Sequence, residues 1–218
     1  MTAVAIFVKT PGYSPIKTRL ASRIGQNDAE SCHQRSAACV LDVVQRSGMV
    51  AYWAVAESEA IDHPFWQALP CVLQGEGSLG ARMARVHTAL VERHGSAILL
   101  GADLPQLQVQ DLLDTREWLQ GAGSRSVLGP ARDGGFWLFG ANQTHAESAW
   151  TSVRYSQIDT AQHFEQALGT ANWMHLAKRC DIDTLEDLPQ VIMELKQLPN
   201  PSALQREVAA WLAQWLDD

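Results

Sequence analysis

The stretch KTPGYSPIKTR at residues 9–19 sets three cations, Lys9, Lys17 and Arg19, in a segment that Pro11, Gly12 and Pro15 keep out of an immediate helix. Cations on a loop leaving a buried strand can meet the charge of a di- or triphosphate, and a solvated basic loop is the plain alternative. No G-x-x-x-x-G-K-[ST] occurs, which excludes a P-loop. Asp103 follows the apolar run 97–100 in the sequence GADLP. A carboxylate at that place suits a hard Mg²⁺ or Mn²⁺ bridged to phosphates, or the capping of a helix that follows.

Three further segments carry chemistry. DIDTLED at 181–187 resembles the D-x-D of aspartyl phosphatases, but HLAKRC precedes it where that motif needs a buried strand. Its other reading is a helix cap at Asp183 or Thr184, compatible with Asp181 facing a site. DGG at 133–135 is turn chemistry, and paired glycines also let a ligand approach the backbone. GEGSLG at 75–80 matches the dinucleotide pattern G-x-G-x-x-G, yet a complete strand-helix-strand stretch precedes it, whereas that fingerprint usually opens its fold. The seven histidines show no ligand or triad spacing and receive no role.

These segments need elements to position them. Apolar runs predict strands at 3–8, 50–55, 71–74 and 97–100, with two short β-like runs at 126–128 and 136–139 joined by a hairpin or sharp bend. Helical spacing of apolar residues predicts helices over 28–47, 79–94, 107–119, 157–168 and 185–198. Residues 9–19 read as a long loop. A last stripe through Leu204, Val208, Trp211, Leu212, Trp215 and Leu216 predicts a C-terminal helix within 202–218 packed on the body. Alternation of this kind implies an α/β fold with a mainly parallel sheet covered on both faces, and ligands bind there beyond the carboxyl ends of the strands. That rule selects 9–19, 75–82 and 101–105.

Length and composition bound the rest. At 218 residues, 46% hydrophobic, the chain is long enough for one well-buried core and short for two, so one domain over 1–218 is expected. The net charge of −7 argues against a nucleic-acid partner. Residues 1–27 nevertheless carry four cations and no carboxylate, a local charge that fits a small phosphorylated ligand. The four cysteines are scattered without C-x-x-C spacing, no basic export signal opens the chain, and no apolar stretch reaches membrane-spanning length. A cytoplasmic protein without a membrane partner is expected; oligomeric state is not legible.

Taken together, K-T-P-x(5)-K-T-R-L at 9–20, L-G-x-R-M at 79–83, G-A-D-L-P at 101–105, G-P-A-x-D-G-G-F-W-L-x-G at 129–140 and D-I-D-T-x-x-D-L at 181–188 resemble the domain of unknown function 2064 family, described as glycosyltransferases of the arsenosugar-biosynthesis type. The resemblance implies a three-layer α/β/α GT-A-like nucleotide-diphospho-sugar transferase fold, similar to the guanylyltransferases of molybdenum-cofactor and phospholactate metabolism. It implies phosphate contacts at Lys9, Lys17 and Arg19, and Mg²⁺ or Mn²⁺ at Asp103 with Asp181 or Asp183. The nucleoside would lie by Gly80 and Arg82 within 79–83, and the acceptor near 133–136, with Asp133 positioning it or serving as base. Pro11 and Pro15 stand where nucleotidylyltransferases carry glycines, and Ser78 where a common family form has Asp. The expected function is glycosyl transfer from a nucleotide-sugar to a small acceptor. The alternatives are nucleotidyl transfer from a nucleoside triphosphate, a catalytically silent nucleotide-binding module, and a dehydrogenase reading of GEGSLG.

Overall fold

The computed structural model describes residues 1–216. Its strands are β1 (Thr2–Val8), β2 (Val50–Val55), β3 (Cys71–Leu73), β4 (Ser96–Gly101), β5 (Ser126–Pro130), β6 (Phe136–Ala141) and β7 (Trp173–His175). Its helices are α1 (Thr18–Ile24), α2 (Gln26–Arg46), α3 (Leu79–His94), α4 (Val109–Leu119), α5 (Glu147–Thr151), α6 (Thr160–Leu168), α7 (Leu188–Lys196) and α8 (Ala203–Ala213). The strands form one sheet in the order β3-β2-β1-β4-β6-β5-β7. Only β6 runs against its neighbours, so the expected mainly parallel sheet is present and the bend at 129–135 is an antiparallel β5–β6 hairpin.

Alternation along β1 explains the layering. Val4, Ile6 and Val8 face one side, where Val40, Val43 and Val44 of α2 and Leu112 and Leu119 of α4 cover them. Ala3 and Ala5 face the other, beneath Met83, Val86 and Leu90 of α3 and the rings of Trp150 and Phe164. A third cluster joins α1, α2, α7 and α8 through Leu20, Cys32, Val191, Leu195, Val208 and Leu212. The expected C-terminal helix thus packs on α7 and α2, with residues 217–218 of that expectation outside the described residues. No described helix is long and apolar enough to cross a membrane.

Several elements depart from the sequence reading. The expected loop 9–19 ends in α1, which starts from Lys17 in the left-handed conformation (φ 45°, ψ 47°) and not from a Ser, Thr or Asp cap. β7 and α5 were not expected, because three and five residues are too few to show a period. The helix expected over 185–198 opens as a 3₁₀ turn, Leu185–Asp187, before α7. GEGSLG follows β3, the outermost strand, and the Arg85 guanidinium occupies the space where a Gly75 Cβ would stand, donating to the Gln74 carbonyl at 2.6 Å. A dinucleotide fingerprint opens a sheet from its first strand, so this placement removes the dehydrogenase reading.

His87 of α3 is wholly buried against Phe139 and Trp150, and neither ring nitrogen has a hydrogen-bond partner. Burial first, then the neighbouring His145, lowers its pKa from 6.5 to about 3. The folded ring therefore stays neutral where the unfolded one takes a proton, and stability falls as pH drops below 6.5. Replacing the ring by an apolar group removes that penalty. Between pH 7 and pH 5, wild type should lose about 2 kcal/mol more stability than His87→Leu by urea unfolding. Parallel pH profiles for the two proteins would refute the assignment.

Candidate functional site

The carboxyl ends of β1, β4, β5 and β7 share one edge of the sheet, and each is followed by a segment carrying a charged group. After β7 the chain runs beside β5, with Arg179 N–H donating to Pro130 O (3.1 Å) and Arg132 N–H to Arg179 O (2.9 Å). Ile182 N–H then donates to Asp103 O at 3.2 Å, tying this last segment to the loop after β4. Cys180 and Ile182 are buried while Asp181 and Asp183 are partly exposed, as the two-residue alternation of extended chain requires. Thr184, one of the two expected caps, caps the next helix in a capping box with Asp187, whose Oδ2 accepts from the Asp183 N–H (3.0 Å), the Thr184 N–H (2.7 Å) and the Thr184 hydroxyl (3.0 Å).

Asp103 sits on a buried cation. The left-handed Lys17 backbone turns its side chain inward until only 2% is exposed, and Nζ lies 3.0 Å from Asp103 Oδ1 while donating to the Ile182 carbonyl. His33 of α2 shares the same oxygen through Nδ1 at 3.2 Å, and its Nε2 lies 3.1 Å from the Lys9 carbonyl. Burial by itself would raise the Asp103 pKa, but the Lys17 charge and the His33 contact hold it well below the usual carboxylate range. Lys17 answers in kind: burial would lower its pKa, and Asp103 holds it above 10.5.

Beside this pair, Asp133, Asp181 and Asp183 each bring a carboxylate oxygen within 4.8 Å of the others. Burial, then the charges of Asp133 and Asp183, push Asp181 up to about 7. Asp183 is likewise raised, chiefly by burial, with Lys17 opposing. Carboxylates this close repel unless a proton or cation sits among them. Two clefts meet at the cluster. One, of about 330 Å³, is lined by Arg19, Arg132 and Thr184 with all three carboxylates; the other, of about 170 Å³, by Leu79, Met83, Phe136 and Tyr155 with Asp133 and Asp181.

The residues singled out by sequence therefore separate. Asp103 was expected to share a metal with Asp181 or Asp183; Asp181 and Asp183 lie together with Asp133, whereas the Oδ1 of Asp103 is taken by Lys17 and His33. Asp133 is at the same time a turn residue, its Oδ1 accepting the Gly135 N–H at 2.8 Å. Lys17 supports Asp103 from beneath; Lys9 is exposed, with Nζ 3.5 Å from Pro15 O. Arg19, 67% exposed, stands 3.6 Å from Asp183 Oδ2. Gly80 is a packing glycine, since a Cβ there would lie 2.5 Å from Trp150 O. Arg82 donates through Nε to Gly77 O at 3.1 Å.

Sequence reasoning missed His33 and Arg179. His33 had a signal, a polar ring on the face of α2 that buries Ala29, Ser36 and Ala37. Arg179 had none: it forms a bidentate, buried ion pair with Asp111 (3.0 and 2.7 Å) that fixes the β7 segment to α4, a contact 68 residues long.

Comparisons place this arrangement among known folds. The family described as "Uncharacterized protein conserved in bacteria (DUF2064)" matches residues 37–157, more than half of the chain and a span that holds Asp103 and Asp133. No curated protein matches by sequence. Among solved structures, a protein from Desulfovibrio desulfuricans G20, provisionally described as a nucleotide-diphospho-sugar transferase, superposes with a TM-score of 0.80 at 22% identity, covering 98% of this chain and 97% of that one. The 4-diphosphocytidyl-2C-methyl-D-erythritol synthase of Anaerococcus prevotii DSM 20548 gives 0.54 at 12% identity, covering 88% and 95%. A CMP:2-keto-3-deoxy-manno-octonic acid synthetase complexed with CTP gives 0.52 at 12%, covering 98% of each. The fold is that of the GT-A-like nucleotide-diphospho-sugar transferases.

Lys17 and Asp103 should behave as one unit. Loss of one partner of a buried pair costs about 3–5 kcal/mol, and because Asp103 is 36% exposed and keeps His33, Lys17→Met should cost about 2–3 kcal/mol by chemical denaturation. The double variant Lys17→Met/Asp103→Asn should be less destabilised than the two single changes summed. Simple additivity would show that the pair is not coupled.

Proposed function

We propose that this chain, which belongs to the DUF2064 family, is a metal-dependent transferase acting on a nucleotide-activated substrate, and that it moves a glycosyl group from a nucleotide-sugar to a small acceptor. The observation that carries this reading is the approach of Asp133, Asp181 and Asp183 to within 4.8 Å at the ligand edge of a nucleotide-diphospho-sugar transferase fold. The whole of 1–218 acts as one domain in this reading.

The donor set fits a hard divalent ion. All three donors are carboxylate oxygens, no cysteine or histidine stands among them, and burial first, then their mutual repulsion, raises Asp181, a repulsion that a cation relieves. Asp181 and Asp183 would hold Mg²⁺ or Mn²⁺, with Asp103 and Asp133 beside them. When bound, the ion supplies positive charge against a diphosphate leaving group.

The protein's own groups do the remaining work. Lys9 and Arg19, both exposed at the edge, can reach phosphate oxygens, Arg19 by giving up its 3.6 Å contact with Asp183, while buried Lys17 holds Asp103 ionised and fixes where the loop after β1 lies. Asp133 gives one oxygen to the Gly135 N–H, which orients the other; that oxygen positions the acceptor or takes its proton. Gly80 and Arg82, at the start of α3, stand on the side where the nucleoside is expected, Gly80 by allowing close packing and Arg82 by fixing the 77–82 turn.

Isothermal titration with Mn²⁺ tests the metal, and product analysis tests the reaction. Asp181→Asn and Asp183→Asn should each weaken Mn²⁺ by about tenfold or more, and Asp103→Asn by less, because Asp103 lies outside the cluster. Wild-type affinity in both cluster variants would overturn the assignment. With a nucleotide-sugar and metal the product should be a nucleoside diphosphate, and a chelator should abolish its release. Pyrophosphate release from a nucleoside triphosphate would mean nucleotidyl transfer, and metal-independent nucleotide binding without turnover a silent module.

A further inference from the structure

We infer that the smaller cleft is the acceptor subsite, and that it takes an acceptor with an apolar body and a single nucleophilic polar group. The inference rests on the transferase reading and adds to it the chemical class of the second substrate.

Four side chains form the cleft's apolar wall. Leu79, the first residue of α3, is 48% exposed although large and apolar, and Met83 lies one turn further on. Phe136, at the start of β6, is partly buried and stacked on Phe164 with ring centres 4.6 Å apart. Tyr155 closes the far side. Apolar surface left open beside a cluster of carboxylates gains free energy when an apolar ligand covers it.

Among the polar side chains lining the cleft, the hydroxyls of Tyr155 and Thr160 are already spent, which leaves the carboxylates and the exposed Ser156. The Tyr155 hydroxyl donates to the Trp150 carbonyl at 2.9 Å. The Thr160 hydroxyl donates to Arg154 O (3.1 Å) and accepts from the Gln157 N–H (3.0 Å). Both residues therefore present mainly carbon to the cavity. A sugar bearing a hydroxyl on every carbon would bury hydroxyls there without partners, at a cost in binding. Asp133 and Asp181, shared with the acidic cleft, and the exposed Ser156 are left to receive the acceptor's polar group.

Size supports the same division. About 170 Å³ is below the roughly 300–1,000 Å³ of sites that enclose a drug-sized ligand, which matches a small ring or short chain better than a whole nucleotide. The segments that build the cleft are also locked together. Gly134 (φ 95°) has no room for a Cβ, which would overlap the backbone of Ile158, and Gly134 O accepts the Ala161 N–H at 2.9 Å. The hairpin turn and the chain leading into α6 thus form one wall, with Ser156 (φ 60°) at its bend.

Protein labelled with ¹³C at its five methionine methyls, titrated with benzyl alcohol and separately with glycerol, tests this by NMR. Benzyl alcohol should move the Met83 methyl saturably, with the other four methyls as internal controls, and glycerol at equal concentration should not. Leu79→Glu should weaken benzyl alcohol about fivefold, and Leu79→Met should bind within about twofold of wild type. Retained Mn²⁺ binding in both variants shows that the fold and the carboxylate cluster survive. Equal responses to both alcohols, or wild-type binding by Leu79→Glu, would overturn the inference. Loss of Mn²⁺ binding in wild type would instead remove the transferase reading and leave the Met83 result standing.

Discussion

One buried cation organises the ligand edge of this protein. Lys17 contacts the Asp103 carboxylate and the Ile182 carbonyl at once, and so joins three segments that leave three different strands. A lysine with 2% of its side chain exposed is stable only where its charge is answered, and here the answer is an aspartate that His33 also holds. The strained backbone at Lys17 follows from the same demand, because a right-handed residue at the head of α1 would aim the side chain elsewhere.

Around that pair the acidic side chains divide by task. Asp187 and Asp111 spend their oxygens on backbone amides and on Arg179, which holds the site's last segment in place. Asp133, Asp181 and Asp183 are left facing one another, with burial and mutual charge raising Asp181 to about 7. The scaffold thus keeps one carboxylate firmly ionised and concentrates negative charge on three others. Such a pattern suits a site that must attract a cation without surrendering its framework when the cation leaves.

Much of the fold was legible in the sequence because its long elements are strongly periodic. β1, β2, β4, α2 and α3 show their apolar runs or stripes directly, and the edge rule then selected the loops at 9–19 and 101–105. What stayed hidden was short or non-local. β7 has three residues and is defined only by pairing with β5. The inward turn of Lys17 is a backbone event with no residue-type signature, so a cation read as facing phosphate proved to lie under a carboxylate. Asp133 looked like turn chemistry, and it is; its place beside Asp181 follows from the β5–β7 pairing, which brings together positions 48 residues apart. The D-x-D spacing was readable as two groups on one face and Thr184 as a helix cap, whereas the closing of that cap by Asp187 emerges only from hydrogen bonds.

The reversed strand β6 has a mechanical consequence for the whole edge. In an all-parallel sheet each loop at the ligand side is a strand's exit into a helix and can lengthen or swing independently. Here β6 enters the sheet where its neighbours leave, so 131–135 is a tight return between two strands hydrogen-bonded along their length. The carboxylate at its tip inherits the stiffness of the sheet, whereas Arg19 is carried by the short helix α1 and Lys9 by the chain before it. A carboxylate set on such a hairpin keeps its position against its neighbours without help from a ligand.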